Sequence, residues 1–220
     1  MIRIEVLIIT FLLSFSGMTQ LSDQGLWISS DLEKKLPGPY TIGLTPEVRI
    51  GQGMTRWNAI LMDASFNYKA TKWMRVSFVV RHSWRHNMGN HVGTRQRANI
   101  DVVFDKDVSD IKWSYRFRVQ SGFNGVLGEG ERDFRQAIRH RFKARIKLMK
   151  KTWTTLGYEF FFSNAAEGFN WTDGRLKASI KRKVNKRQYA TIGYLYQNEW
   201  NTKYPLREHV LTLSYSYTFK

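Results

Sequence analysis

FRQAIRHRFKARIKL, residues 134–148, decides the fold. Arg135, Arg139, Arg141, Lys143, Arg145 and Lys147 share one parity, and Phe134, Ile138, Phe142, Ala144, Ile146 and Leu148 share the other. A helix would gather Phe134, Ile138, Phe142 and Ile146 on one side, but would set Arg141 and Arg145 among them. A period of two separates the faces with only Gln136 and His140 out of place. The stretch reads as a strand with one oily and one cationic face. Alternation alone does not say which face meets water.

The same alternation recurs along the chain. YTIGLTPEVRI (40–50), DIKWSYRFRVQ (110–120) and EHVLTLSYSYTFK (208–220) all divide apolar from polar residues by parity. Eleven strands are expected, beginning near residues 26, 40, 58, 74, 97, 111, 134, 152, 175, 189 and 208. Most run about ten residues, the length a tilted strand needs to cross a bilayer. KATKW, DKDVSD, MKKT and KVNKR make short connections. HSWRHNMGNHVGT, SGFNGVLGEGER, SNAAEGFNWTDG and NEWNTKYPLRE make long ones. One rim of tight turns and one of long loops is the pattern of an outer-membrane barrel, with the turns periplasmic. Trp73, Trp84, Trp113, Tyr194 and Tyr217 are expected near strand ends, as aromatic girdles.

The chain has 220 residues, a net charge of +17 and no cysteine, which excludes disulfides and thiolate metal sites. The charge admits acidic partners or a solvated, internally paired face. MIRIEVLIITFLLSFSGMTQ opens with Arg3, a short apolar run from Val6 to Phe15, then small residues. It reads as a secretory signal over 1–19, cleaved near Thr19–Gln20, leaving 20–220 as the barrel. The fold class is therefore all-β: an antiparallel transmembrane β-barrel of about 10–12 strands in the bacterial outer membrane. An odd count is awkward, since single-chain bacterial barrels use even numbers. A missed strand, an N-terminal arm crossing the lumen, or ten strands with the first one inserted are all open. The contrasting architecture is a secreted lipocalin-like carrier with its apolar side inward.

GLWISSDLEKKLPGPYTIGL (25–44), then EVRI, then LMDASFNYKATKWMRVSFVVRHSW (61–84), resembles a widespread family of bacterial outer-membrane β-barrels of unknown function. The shared features are a Leu-Trp opening, a Glu-Lys-Lys-Leu before the first turn, and a Tyr-rich final strand. The resemblance covers nearly all of the mature chain. It implies the barrel and the outer membrane, and carries no catalytic residues. Phe219 resembles the terminal aromatic of such proteins, with Lys220 following it as a departure.

With the apolar parity toward lipid, the expected lumen-facing bases are Arg116, Arg118, Arg135, Arg139, Arg141, Lys143, Arg145, Lys147, Arg175, Lys177 and Lys181. The expected lumen-facing acids are Asp31, Glu33, Glu47, Asp63, Asp101 and Glu159. Most of these acids lie in the first half of the chain and most of the bases in the second, so the halves would pair across a narrow barrel. Such a lumen is either plugged by ion pairs, making the role structural, or a narrow channel or cavity preferring small anions. An outer-membrane lipid-modifying hydrolase is the alternative. Its Ser–His spacing is not seen, and Ser83 points away from His82, so no enzyme is expected. His82, His86 and His91 could hold a metal, but scattered loop histidines are commoner, and no cofactor is assigned. IKRKVNKR (180–187) reads as a strand end and periplasmic turn at lipid headgroups, not a nucleic-acid site. The partners expected are outer-membrane lipid and the barrel-assembly machinery.

Overall fold

The computed structural model describes residues 21–86, 91–124, 134–165, 168–201 and 205–219. The signal sequence expected at 1–19 lies outside them. Eleven strands follow in order: β1 (Leu21–Lys35), β2 (Tyr40–Gly51), β3 (Arg56–Tyr68), β4 (Met74–His86), β5 (Val92–Val108), β6 (Ile111–Asn124), β7 (Phe134–Met149), β8 (Thr152–Ala165), β9 (Gly168–Lys183), β10 (Gln188–Glu199) and β11 (Leu206–Phe219). Each pairs antiparallel with its sequence neighbour, and the sheet closes when β1 pairs with β11. The opening stretch is β7.

The odd count has a geometric consequence. In an up-and-down meander of eleven strands, the first and last run the same way. The closing seam is accordingly parallel, with Gly25 beside Val210, Asp31 beside Ser216 and Lys34 beside Phe219. No twelfth strand and no inserted strand is needed to close the barrel. The described chain enters at one rim and leaves at the other.

Parallel pairing is slightly weaker per residue than antiparallel pairing, and side chains reinforce the seam. Asp31 accepts hydrogen bonds from Ser214 Oγ at 3.2 Å and Ser216 Oγ at 3.3 Å on β11, and from Thr45 Oγ1 at 3.1 Å on β2. One carboxylate thus ties three consecutive strands together. Gly25 lets the same strand lie close to β2, because a Cβ there would stand 2.9 Å from the Ile50 carbonyl oxygen. Asp31→Ala leaves three hydroxyls to re-pair and is expected to cost about 1–3 kcal/mol of stability. Urea unfolding of the detergent-solubilised barrel measures it, and a variant as stable as wild type would mean the backbone ladder holds the seam alone.

The polarity of the two faces is inverted relative to a soluble barrel. One large apolar side chain from every strand is exposed on the outer surface: Ile28, Ile42, Phe66, Phe78, Ile100, Val119, Phe142, Leu156, Leu176, Ile192 and Leu213. The lumen holds the charges, with a few apolar residues among them, such as Leu61 and Val210. His140, the polar residue on the oily face of β7, bonds through Nδ1 to the Tyr115 hydroxyl at 2.8 Å.

Tight connections at 36–39, 69–73, 109–110, 150–151 and 184–187 form one rim. Gly38 in the first of them has φ +77°, a conformation that favours glycine. Trp73, Trp113 and Tyr217 lie near this rim, and Trp84 near the other. Tyr194 does not belong to a girdle: it sits mid-strand in β10, with its hydroxyl 2.5 Å from His209 Nδ1.

Where the long connections expected from the sequence fall among the described residues, they are mostly strand. β4 continues to His86, β8 to Ala165 and β9 starts at Gly168, so SNAAEGFNWTDG is nearly all ladder. Glycine and asparagine suggested irregular chain there. The backbone instead satisfies its hydrogen bonds by extending the hairpins, helped by a 2.8 Å contact between the Ser163 and Thr172 hydroxyls.

Candidate functional site: a divided basic lumen

The inward parity of each strand sends its long polar side chains to the barrel axis. At the middle they make a continuous layer. Arg49 lies 3.6 Å over the Trp27 ring. Arg175 approaches the same ring at 5.8 Å and the Phe161 ring at 4.5 Å. Arg139 covers Phe161 at 4.0 Å. The chain of cations and rings runs from β2 through β1, β9 and β8 to β7, and each stack joins a weakly hydrated guanidinium to an aromatic face.

Beside it lies a buried ionic network. Glu159 accepts from Arg139 Nε at 3.0 Å and from an Arg116 amine. Asp101 takes both Nε and a terminal amine of Arg118, each at 2.6 Å. Gln120 receives a third bond from Arg139 at 3.1 Å. Arg116, Arg118, Arg139, Asp101 and Glu159 are all buried. Arg81 grips Asp63 at 2.5 and 2.7 Å, and Arg49 grips Glu47 at 2.5 Å.

Two cavities flank this layer, and both touch Trp27, Arg141, Glu159 and Arg175. The short-turn cavity measures about 540 Å³ and is lined by Arg75, Lys112, Lys143, Arg145, Lys177 and Lys181 among others. The long-loop cavity measures about 690 Å³ and is lined by ten arginines. Together the two walls carry sixteen Lys and Arg side chains against eight carboxylates, so the lumen is positive even where pairs form. The interior holds two basic vestibules that share Trp27, Arg141, Glu159 and Arg175 at a common waist.

Arg116, Arg118, Arg139, Arg141, Lys143, Arg145, Arg175, Lys177, Lys181, Asp31, Glu47, Asp63 and Glu159 line one or both cavities, and Asp101 is buried against Arg118. Lys147 and Glu33 are exposed near the short-turn rim and line neither cavity. Both lie at the ends of their strands, where the inward parity opens to solvent. The side chain of Arg135 lies outside the described residues.

The pairing differs from expectation. The ion pairs of Asp63, Asp101 and Glu159 run between neighbouring or next-neighbouring strands, not across the lumen. Asp63 and Arg81 are register partners on adjacent strands, as are Asp101 and Arg118. Glu159 serves β7 next door and Arg116 one strand further. Side chains in the wall find neighbours within 5–8 Å more cheaply than partners across a lumen. The sequence reading also passed over Arg49, Arg81, Arg85, Arg95 and Arg97, which hold the loop-side cavity. Their inward parity was the available signal.

The histidines are engaged elsewhere. His86 Nδ1 lies 2.8 Å from the Trp57 carbonyl oxygen, and His82 Nδ1 3.3 Å from the Gln96 side chain. Ser83 is buried on the opposite face from His82 and donates to the Arg95 carbonyl at 3.1 Å. Among the described residues, no group of three or more His, Asp or Glu is arranged to hold a metal.

No curated protein matches the chain. A family model described as "Protein of unknown function (DUF2490)" matches residues 24–206, which span β1 to the start of β11, and the chain belongs to that family.

Proposed function

We propose that this chain is an integral β-barrel of a bacterial outer membrane, directed there by the signal at 1–19, with a basic lumen that accepts small anions. The observation that carries the reading is the belt of exposed large apolar side chains, one from each of the eleven strands, around a lumen lined with charge. Apolar surface encircling a whole protein is costly in water and favourable in hydrocarbon. Closure leaves no unpaired edge in that belt, which lipid requires. A lipocalin-type carrier has the opposite polarity, with its apolar side chains around the ligand.

The anion preference rests on the excess of cations over carboxylates in both vestibules. A purely structural barrel is the second reading, favoured by the packed waist at Trp27, Arg175 and Phe161. The proposal assigns the protein no catalytic role.

Folded protein should need detergent to stay in solution, and should migrate differently on a gel before and after boiling. A mature chain that is monodisperse in plain buffer, with identical migration of the two samples, sinks the membrane assignment.

A further inference from the structure

The two vestibules differ in the kind of cation they present. The short-turn cavity mixes four lysines with four arginines, while every cation on the loop-side wall is arginine. An ammonium is a hydrated point charge. A guanidinium is a rigid fork that binds two oxygens of one oxyanion at once. The loop-side wall therefore has the chemistry for oriented oxyanion binding, beyond general attraction.

Most of its arginines are already engaged. Arg49 holds Glu47, Arg81 holds Asp63, Arg118 holds Asp101, and Arg139 holds Glu159. Arg85 and Arg97 differ. The Nε atom of each is buried without a hydrogen-bond acceptor, and neither forms an ion pair among the described residues. The charged groups acting most strongly on Arg85 are Arg49, Arg95, Arg81 and Arg175, all cations. Arg97 faces Arg81, Arg139 and Arg118, with Asp63 the carboxylate among them already bound to Arg81. Two guanidinium groups with buried, unpartnered Nε atoms and no ion pair of their own among the described residues are a standing cost to the fold, relieved when an anion binds.

Their placement defines the shape of that anion. Arg97 is the register partner of Arg81, and Arg85 lies four residues further up β4 toward the loop rim. Four residues of strand span about 13 Å, so the two heads enter the cavity at different depths. One compact oxyanion satisfies one of them. An anion with two charged ends satisfies both.

We propose that the loop-side vestibule is a binding site for a phosphorylated solute bearing two anionic groups, one held by Arg97 near the waist and the other by Arg85 near the mouth. The site deepens the anion-accepting reading of the lumen and rests on it. Tetrahedral phosphate suits it because each end offers several oxygens to a guanidinium fork.

The test uses the whole barrel folded in detergent micelles, each variant checked by its heat-dependent migration. A hexose 1,6-bisphosphate, whose two phosphates stand at opposite ends of the sugar, is titrated calorimetrically in about 0.15 M chloride, which screens non-specific attraction. Saturable binding is expected, weakened about tenfold or more by Arg85→Gln and by Arg97→Gln. Arg85→Lys and Arg97→Lys keep the charge but lose the fork, and should also weaken it. Lys147→Gln, at the exposed short-turn rim, should leave it unchanged. The hexose 6-phosphate, with one anionic end, should bind more weakly than the bisphosphate. Absence of saturable heat overturns the site, as does equal weakening by Lys147→Gln. Equal affinity for the monophosphate and the bisphosphate overturns the two-ended ligand. Binding is read without conductance, so the two readings fail separately. A barrel that conducts anions but binds no bisphosphate loses only this site. One that binds but never conducts keeps the site and loses the channel.

Discussion

Glu159→Gln should be among the most damaging single substitutions in the barrel, lowering stability by about 3–5 kcal/mol. The carboxylate is buried and receives Arg139 at 3.0 Å together with an Arg116 amine, while Arg141 is its register partner on β7. The surrounding cations also face one another, since Arg116 pairs in register with Arg141 and Arg118 with Arg139. Glutamine keeps the shape and one acceptor oxygen but removes the charge that offsets those guanidinia. Breaking a buried pair from one side is costly for that reason: the penalty is the stranded charge more than the lost bond. Urea titration of the folded barrel in detergent measures the loss. Glu33→Gln, exposed near the rim, is the comparison and should stay within about 0.5 kcal/mol of wild type. If the two variants behave alike, water and counter-ions in the vestibules screen the network, and its short contacts add little to stability.

The fold was legible because the side-chain period of a strand is two and both faces of this sheet are strongly biased. The parity of β7 separates six cations from a nearly apolar partner set, and the same rule locates all eleven strands. Alternation carries no information on pairing direction, so the parallel β1–β11 seam was not legible, although an odd meander that closes on itself requires it. Strand ends were blurred where glycine and asparagine occur, as at β8 and β9, because propensity there is weak and the ladder prevails. In the lumen, parity alone placed the residues of β6 to β9. The pairing failed on distance: Asp63–Arg81 and Asp101–Arg118 follow from hairpin register once the turns are fixed. Trp27 was read only as part of the Leu-Trp opening, for a different reason. Aromatic residues were assigned to the outer face, and nothing in the alternation marks an inward tryptophan that two cations approach.

That ring carries the second large expectation. Trp27 touches both vestibules, with Arg49 3.6 Å from its centroid and Arg175 at 5.8 Å. Removing it in Trp27→Ala deletes the piece of the waist shared by the two cation stacks and leaves Arg175 only its contact with Phe161. The stability cost should be modest, about 1–2 kcal/mol, because each stack is worth roughly 0.5–2 kcal/mol and the ring borders hydrated space. The functional effect should be larger. In planar bilayers wild-type conductance is expected to be low, and Trp27→Ala should raise it roughly tenfold or more by widening the waist that the cavities share. The current should favour anions, since the walls retain sixteen cations against eight carboxylates. Trp73→Ala, which removes an exposed ring beside the tight turns, controls for the loss of a tryptophan and should leave conductance unchanged. A current that favours cations contradicts the basic lumen outright. A Trp27→Ala barrel as silent as wild type moves the closure to the Glu159 network, where Arg139 and Arg116 still cross the wall, and Arg175→Ala in the same background then separates the two layers.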